Sequence, residues 1–329
     1  MMAEHASYGF RILGSCAGER RLVDWPAALA GYAECDERAE VDREGYLSAF
    51  TYPIEFRDYL TTHRTTKGYS GPCGGDWLWW DIDADCDLER ATSHARRLCA
   101  GLVERYDIDG DTLLVFFSGA KGYHVGLPLS LCSTPSASTA FHQVAKYLAI
   151  HLAESMNVAI DVGVYDRVRA FRAPNSRHPR TGLHKRHLTL DELLGMKLDA
   201  VLRLAKAPEP FDLPDNPPAN DRLVADWQTA AEAVEYEAAA LAERRAALRA
   251  SGGADATLNR VTLEFIRAGA THGDRHRLLF SAAANLAEFG CPAPLALALL
   301  TESALDSGLT PSDVRRQIEC GLDAAGGAV

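Results

Sequence analysis

Apolar and polar positions in the first half of the chain alternate between strand-like and helix-like patterns. An aromatic run at 76–83, DWLWWDID, follows two glycines and predicts a buried strand that ends in acids. Apolar residues at three- and four-residue steps then predict a helix from Asp87, its N-cap, to about Tyr106. Two apolar segments at 112–117 and 123–127, separated by a glycine-bearing loop, predict a hairpin.

A further helix and a short strand, at 136–156 and 158–160, complete the order strand-helix-strand-strand-helix-strand. That order is typical of the ferredoxin-like βαββαβ unit. In this topology the first strand lies between the third and the fourth. The acids that end the first strand are therefore expected beside His124 and also beside Asp161.

The flanking segments predict additional layers around this unit. Residues 1–70 carry mixed helix and strand signals, which indicate an N-terminal α/β layer, and another helix is expected at about 189–205. The proline-rich stretch at 207–221 has the composition of a linker, and residues 222–329 are alanine-rich and helical. We therefore expect an α+β protein with a catalytic domain at 1–206, a linker at 207–221 and an all-helical domain at 222–329.

Composition narrows the class of protein. The 329 residues are 47% hydrophobic and 24% charged, which is ordinary for a globular chain and excludes disorder for most of it. No apolar run approaches the length of a membrane span and the first residues do not resemble a secretory signal, so a cytoplasmic location without a membrane partner is expected. The eight cysteines form no C-x-x-C pair, so we expect reduced thiols and no zinc site; they are Cys16, Cys35, Cys73, Cys86, Cys99, Cys132, Cys291 and Cys320.

Charge is distributed unevenly along the chain. The net charge of −11 argues against a nucleic-acid partner for the protein as a whole. Between Asp161 and Leu190, however, seven Lys and Arg residues stand against two acids. This local excess favours binding of a polyphosphate or a nucleic-acid backbone, and the alternative is an ordinary solvated face. Arg167 and Arg169 alternate with other residues there and are expected to point together from an extended segment.

Two short motifs carry candidate chemistry. Asp81 and Asp83 are one residue apart on a strand, so both carboxylates leave the same face, where a hard cation such as Mg²⁺ or Mn²⁺ would relieve their repulsion. The alternative is a pair of acids that cap the next helix. The segment from Ser118 to His124, SGAKGYH, offers glycine amides, a hydroxyl and the Lys121 charge to a phosphate. It is not a Walker A loop, and it could be an ordinary hairpin turn.

Taken together, the motifs resemble the archaeo-eukaryotic primase superfamily, and in particular its primase-polymerases. The resemblance covers roughly residues 45–205. It rests on the D-x-D at Asp81-Ile82-Asp83, on the S-G-x-[KR]-G-x-H form of Ser118 to His124, and on a lone Asp161 followed by an arginine-rich strand. The stretch from Gly273 to Gly321 is similar to the helical domain that follows the catalytic core in plasmid and phage primases.

The resemblance implies a primase-polymerase core with an N-terminal α/β layer and a role for each matched residue. Two Mg²⁺ or Mn²⁺ ions would be bound by Asp81, Asp83 and Asp161. The triphosphate would be held by Ser118, Lys121, His124, Arg169 and Arg172. Template or further phosphate contacts would come from Arg167, Arg177, Lys185, Arg275 and Arg277.

The activity implied is synthesis and extension of primers on single-stranded DNA from NTPs or dNTPs. No P-loop is present in the sequence, so a helicase would be a separate partner. Three other functions stay open: a metal-dependent phosphatase, a glycosyltransferase that uses the D-x-D pair, and a non-catalytic replication initiator that binds DNA. The phosphatase motif expects Thr or Val where Asp85 stands.

Overall fold

The computed structural model describes residues 7–84, 87–250, 258–271 and 273–326, which form eight strands and eleven α-helices and confirm the α+β class. Asp85 and Cys86 lie outside the described residues. The strands are β1 (Tyr8–Leu13), β2 (Arg21–Asp24), β3 (Gly45–Ser48), β4 (Trp77–Asp83), β5 (Leu114–Phe117), β6 (Gly122–Pro128), β7 (Ala170–Arg172) and β8 (Arg186–Leu188). The helices are α1 (Trp25–Ala33), α2 (Ile54–His63), α3 (Leu88–Tyr106), α4 (Phe141–Ser155), α5 (Leu190–Gly195), α6 (Leu198–Leu204), α7 (Asp221–Ala250), α8 (Arg260–Ala268), α9 (Arg275–Glu288), α10 (Ala293–Asp306) and α11 (Pro311–Gly326).

The first sheet has the order β2-β1-β3-β7, and all of its pairs are antiparallel. Three of its strands come from the N-terminal segment, where the sequence predicts mixed elements. The fourth, β7, comes from the arginine-rich segment more than 120 residues later and pairs with β3 through Tyr46↔Arg172 and Leu47↔Phe171. This pairing brings the arginine-rich segment onto the N-terminal layer.

The second sheet has the order β4-β6-β5-β8, again antiparallel throughout. Side chains alternate along β4, so that the Trp79 ring lies 5.5 Å from the ring of Phe171 on the first sheet. Trp80 points the other way and donates from Nε1 to the carbonyl of Ala149 on α4. The core therefore has two parts: one lies between the two sheets, and the other lies between the second sheet and its helices.

Several local predictions match the structure closely. The aromatic run is β4, the two apolar segments that follow are β5 and β6, and α3 begins after Asp87, whose side chain accepts from the amide of Arg90 at 3.0 Å. The helix predicted from 136 begins only at Phe141, because Ser138 exchanges two backbone hydrogen bonds with Cys73 and holds its segment extended.

The predicted fourth strand is wrong. Residues 158–160, which the structure describes, are not in a strand, and the segment makes one backbone hydrogen bond to β4, from the amide of Asp161 to the carbonyl of Asp81 at 2.8 Å. The segment is too short for a ladder, because Asn157 has a positive φ of 53° and a 3₁₀ turn starts at Val162. By strand pairing, β4 is thus an edge strand of the second sheet. The opposite edge is β8, a strand that no local signal in the sequence predicts.

Residues 207–220, which we call the strap, pack on the preceding domain although no described part of them is a helix or a strand. Asn175 donates to the carbonyl of Glu209 and accepts from its amide, at 3.0 and 3.1 Å. The Phe211 ring stacks on His187, with ring centroids 4.5 Å apart. The segment predicted as a linker is therefore held against the domain along much of its length.

The contact pattern divides the chain into two units, Met1–Val234 and Glu235–Val329, with the division inside α7. Leu223 on α7 is fully buried in the core of the first unit. The second unit is helical, as the sequence predicts, and its four helices α8 to α11 surround a core of their own; its largest members are Phe265, Leu279, Leu300 and Ile318. Among the described helices, none has both the length and the apolar composition needed to cross a bilayer.

Candidate functional site

Asp81 and His124 form the centre of the candidate site. They are directly opposite each other in the β4–β6 pair, and His124 Nε2 lies 3.4 Å from Asp81 Oδ1. The imidazole is nearly enclosed, with 6% of the residue exposed, and its Nδ1 is buried without a hydrogen-bond partner among the described residues. The ferredoxin-like order of elements predicts that Asp81 lies beside His124, because it pairs the first strand with the third. In the structure these strands are β4 and β6, and they pair antiparallel.

The hairpin between β5 and β6 brings a lysine to the second acid. Lys121 Nζ lies 2.6 Å from Asp83 Oδ2. The neighbouring Gly122 leaves no room for a side chain, since a Cβ there would be 2.0 Å from the carbonyl oxygen of Ile82 and 2.6 Å from Asp83 Oδ1. A glycine at 122 is therefore a steric requirement of the close approach between the hairpin and the acidic end of β4.

Ser118 plays a part in this hairpin that the sequence does not predict. Its Oγ accepts from the amides of Ala120 and Gly122, at 3.4 and 3.2 Å. The amide of Gly122, one of the two glycine amides expected to face a phosphate, thus points to Ser118 inside the turn. The charge that the loop presents to the acids is that of Lys121.

Asp161 lies beside Asp81 because of the backbone hydrogen bond that joins their segments. Its Oδ1 accepts from the amide of Gly163 at 2.8 Å, so the side chain caps the 3₁₀ turn that follows. The residue is exposed. The guanidinium of Arg169 is close to this loop, because a Cβ at Gly163 would lie 3.1 Å from Asp161 Oδ1 and 3.6 Å from Arg169 Nη2.

The three acids influence one another electrostatically. Burial raises the pKa of Asp83, and the negative charges of Asp81 and Asp161 raise it further against the hydrogen bond from Lys121. Burial also opposes ionisation of Asp81, but contact with His124 and the charge of Lys121 outweigh it and hold the pKa of Asp81 below its usual value. Asp81 is therefore a carboxylate at neutral pH.

His124 stays neutral at that pH. Burial and the charge of Lys185 lower the pKa of His124 to about 4, although the Asp81 carboxylate pulls in the opposite direction. A neutral imidazole has one nitrogen that donates and one that accepts. The ring can thus contact Asp81 without forming a full ion pair.

The donor set fits a hard divalent cation by its chemistry. Carboxylate oxygens are the ligands that Mg²⁺ and Mn²⁺ prefer, and three mutually repelling carboxylates gain from a cation among them. Lys121 supplies part of that positive charge in this structure. No group of three or more His, Cys, Asp or Glu side chains in the described part of the chain is already gathered as a metal site.

Arg172 is held by the first sheet. Its guanidinium lies over the ring of Tyr46 at 5.0 Å, and its Nη2 donates to the Tyr46 hydroxyl at 3.2 Å. Its Nη1 is buried without a partner among the described residues. The sequence offers no sign of Tyr46, because the contact depends on the pairing of β3 with a strand that is distant in sequence.

Arg167 and Arg169 do not point together, which corrects the expectation of an extended segment. The chain turns at this point, where the amide of Arg169 donates to the carbonyl of Asp166 at 2.9 Å. Arg167 instead donates from Nη2 to the carbonyl of Thr139 at 2.9 Å. Only Arg169 is directed toward the loop of Asp161.

Lys185 is not a surface contact for template, contrary to the expectation. Only 1% of the residue is exposed, and its Nζ donates to the carbonyl of Arg172 at 2.8 Å. The ammonium lies 4.5 Å from the centroid of Phe116 and 4.6 Å from that of Phe171. Burial lowers the pKa of Lys185 well below its usual value. The aromatic strands that enclose it come from both sheets, so its position could not be read from the basic segment.

The remaining basic candidates have local partners. Arg177 is exposed and donates from Nε to the carbonyl of Gly182 at 3.1 Å. In the second unit, Arg275 donates to the carbonyl of Gly308 at 3.0 Å, and Arg277 pairs with Asp274 at 3.0 Å. Their contact with nucleic acid stays a prediction.

Comparison of the chain with protein-family models, with curated proteins and with solved structures gives no match.

Proposed function

We propose that the chain is a DNA primase-polymerase, a template-dependent nucleotidyltransferase that makes and extends primers on single-stranded DNA from NTPs or dNTPs. One arrangement carries the proposal. The acids of β4 and the neighbouring Asp161 lie beside Lys121, and the guanidinium of Arg169 is close to the loop of Asp161. Acids that hold a metal and cations that hold a polyphosphate are the two halves of a phosphoryl-transfer site.

Asp81, Asp83 and Asp161 would hold the divalent ions. When bound, Mg²⁺ or Mn²⁺ at such a site promotes ionisation of a 3′-hydroxyl and neutralises charge on the phosphates. The low pKa of Asp81 keeps one ligand ionised at neutral pH. His124 contacts that carboxylate from a rigid strand and restricts its orientation.

The cations of the chain would bind and orient the nucleotide. Lys121 has 60% of its side chain exposed at the tip of a hairpin, so its ammonium can move from Asp83 to a phosphate oxygen. Arg169 is close to the loop of Asp161, and Nη1 of Arg172 has no partner in the part of the chain that the structure describes. In the reaction, the 3′-oxygen of the primer forms a bond to the α-phosphorus, and its proton passes to the surrounding water. The bond from that phosphorus to the bridging oxygen breaks, and pyrophosphate leaves.

The segment from Asp161 to Leu190 would contact the nucleic-acid backbone. Its excess of Lys and Arg contrasts with the acidic chain as a whole, and Arg177 presents its charge at the surface. Backbone contacts of this kind release counterions. We therefore expect binding of single-stranded DNA to weaken steeply as salt rises.

The test is primer-free synthesis on circular single-stranded DNA, with ribo- and deoxyribonucleotides supplied separately under Mg²⁺ and Mn²⁺. Wild type is expected to incorporate labelled nucleotide. The double variant Asp81→Ala with Asp83→Ala is expected to lose several orders of magnitude in rate and to keep measurable DNA binding.

Another D-x-D of the chain, at Asp109 and Asp111, supplies the matched control. Asp109 and Asp111 are exposed on the turn before β5, so Asp109→Ala with Asp111→Ala is expected to keep synthesis. Wild-type rates from the Asp81 and Asp83 double variant would exclude the mechanism. Release of phosphate or transfer of sugar by wild type, without incorporation of nucleotide, would favour a phosphatase or a glycosyltransferase instead.

A further inference from the structure

Arg172 is fixed on the first sheet by two residues outside every motif named above. Tyr46 is directly opposite Arg172 in the β3–β7 pair. The guanidinium lies over the Tyr46 ring, and Nη2 donates to the Tyr46 hydroxyl at 3.2 Å. That hydroxyl donates in turn to Glu44 Oε1 at 2.5 Å, and the same carboxylate oxygen lies 4.0 Å from Nη2.

The direction of these hydrogen bonds follows from the number of protons. A tyrosine hydroxyl has one proton and can accept through its oxygen. The carboxylate of Glu44 can only accept, so it takes the proton, and the oxygen of Tyr46 accepts from Arg172. Burial and the hydrogen bond to Glu44 raise the pKa of Tyr46 to about 12, so the hydroxyl stays intact at neutral pH.

One amino group of the Arg172 guanidinium, Nη1, makes no hydrogen bond to the described part of the chain. The side chain of Arg172 is 12% exposed, and Nη1 is buried without a partner in the described part of the chain. A buried donor without a partner is costly, and guanidinium N–H groups match the oxygens of phosphates well. The contacts with Tyr46 hold one amino group and one face of the guanidinium, and they leave Nη1 as the one amino group without an acceptor among the described residues.

We propose that Tyr46 and Glu44 are positioning residues that hold Arg172 so that its Nη1 donates to the triphosphate of the incoming nucleotide. The proposal rests on the nucleotidyl-transfer function proposed above. Backbone pairing between β3 and β7 requires neither a hydroxyl at 46 nor a carboxylate at 44. These polar groups therefore serve the orientation of the guanidinium.

The first experiment measures binding of inorganic tripolyphosphate to the full chain by calorimetry, with Mg²⁺ and without DNA. Tyr46→Phe removes one hydroxyl and keeps the ring, and we expect about tenfold weaker binding. In the synthesis assay the same variant is expected to raise the nucleotide KM about tenfold and to keep kcat within about twofold. Tyr236, which is 76% exposed on α7, supplies the control, because Tyr236→Phe should change neither quantity.

A double-mutant cycle tests whether Tyr46 acts through Arg172. With Arg172→Lys already present, Tyr46→Phe should weaken tripolyphosphate binding by less than about twofold. Equal effects in the two backgrounds would overturn the proposal, and so would wild-type binding by Tyr46→Phe. Wild type that binds tripolyphosphate as described but makes no primers would count against the polymerase and leave the positioning role intact.

Glu44→Ala gives an independent answer if Tyr46→Phe shows no cooperative thermal unfolding. Removal of a carboxylate near an anion site tightens anion binding when that carboxylate is merely a competing charge. A positioning role predicts weaker binding of tripolyphosphate by Glu44→Ala. Unchanged or tighter binding would overturn the proposal.

Discussion

The imidazole of His124 stacks on the phenyl ring of Phe171, with ring centroids 4.1 Å apart and the planes inclined by 25°. The histidine belongs to the second sheet and the phenylalanine to the first. The same phenyl ring also lies against Trp79 and against the ammonium of Lys185. One side chain thus connects the two sheets at the point where the acids of β4 meet the arginine-rich segment.

Removal of this ring should destabilise the first unit. Phe171 is 7% exposed, and Phe171→Ala leaves a cavity between the sheets, with an expected cost of about 3 to 5 kcal/mol in the free energy of unfolding. Urea denaturation followed by tryptophan fluorescence measures it, since Trp79 reports on the same core. Leu194→Ala is the control, because this leucine is 44% exposed and should cost less than about 1 kcal/mol. Equal losses in the two variants would show that the ring does not hold the sheets together.

Gly122→Ala should disturb the acidic end of β4. The added methyl group would lie 2.0 Å from the carbonyl oxygen of Ile82, so the strands must separate, at an expected cost of about 1 to 3 kcal/mol. Because Asp83 Oδ1 is also within 2.6 Å of the new atom, synthesis should fall with stability. Gly195→Ala, at the end of α5, should be neutral or slightly stabilising, because no described neighbour lies within 4 Å of the added methyl group. A Gly122→Ala protein as stable and active as wild type would contradict the close approach.

The free energy of unfolding should decrease at acidic pH, because the folded protein buries histidines in their neutral form. Burial lowers the pKa of His187 from 6.5 to about 4, so below pH 6.5 the unfolded chain takes up a proton that the folded chain does not. The free energy of unfolding therefore decreases as pH falls from about 6.5 to about 4. His142 has a pKa of about 4 for the same reason and adds to the loss over the same range.

The variant His187→Phe removes one of these titrations and keeps an aromatic ring against Phe211. We expect the urea midpoint of this variant to fall less than that of wild type between pH 7.5 and pH 5. The comparison at pH 7.5 reveals any change of packing that does not depend on protonation. A midpoint that falls by the same amount in both proteins would exclude His187 as a source of the acid sensitivity.

Local signals in the sequence predict a large part of the central unit. Three of these signals depend only on residues close together in the sequence: the aromatic run of β4, the N-cap at Asp87 and the hairpin glycines. Each element that they predict forms where its signal lies. The ferredoxin-like order of those elements predicts that Asp81 lies beside His124, and the register of β4 and β6 places the two residues directly opposite each other. The roles of these residues in catalysis stay predictions.

Long-range pairing accounts for what the sequence did not predict. Strand β8 has three residues, and so short a segment carries no alternation that distinguishes it from a loop; of the arginine-rich strand expected after Asp161, only the three residues of β7 form one. Lys185 also could not be distinguished from a surface cation. The aromatic rings around its ammonium are those of Trp79, Phe116 and Phe171, which lie on strands that are not adjacent to Lys185 in the sequence. The chain turns at Asp166, so Arg167 points in a direction that the sequence did not predict.

The strap is anchored through its main chain and through three of its side chains: Glu209 pairs with Arg186, the Phe211 ring stacks on His187, and Asn220 donates from Nδ2 to the carbonyl of Tyr106. Asn175 holds the amide and the carbonyl of Glu209, and the amides of Phe211 and Asn220 donate to carbonyls of Ala33 and Leu131. Bonds of this kind tolerate almost any amino acid at the anchored position. In homologues, the residues between these anchors should accordingly drift in sequence while the stretch keeps its length, with an acid retained at 209, an aromatic ring at 211 and asparagines at 175 and 220.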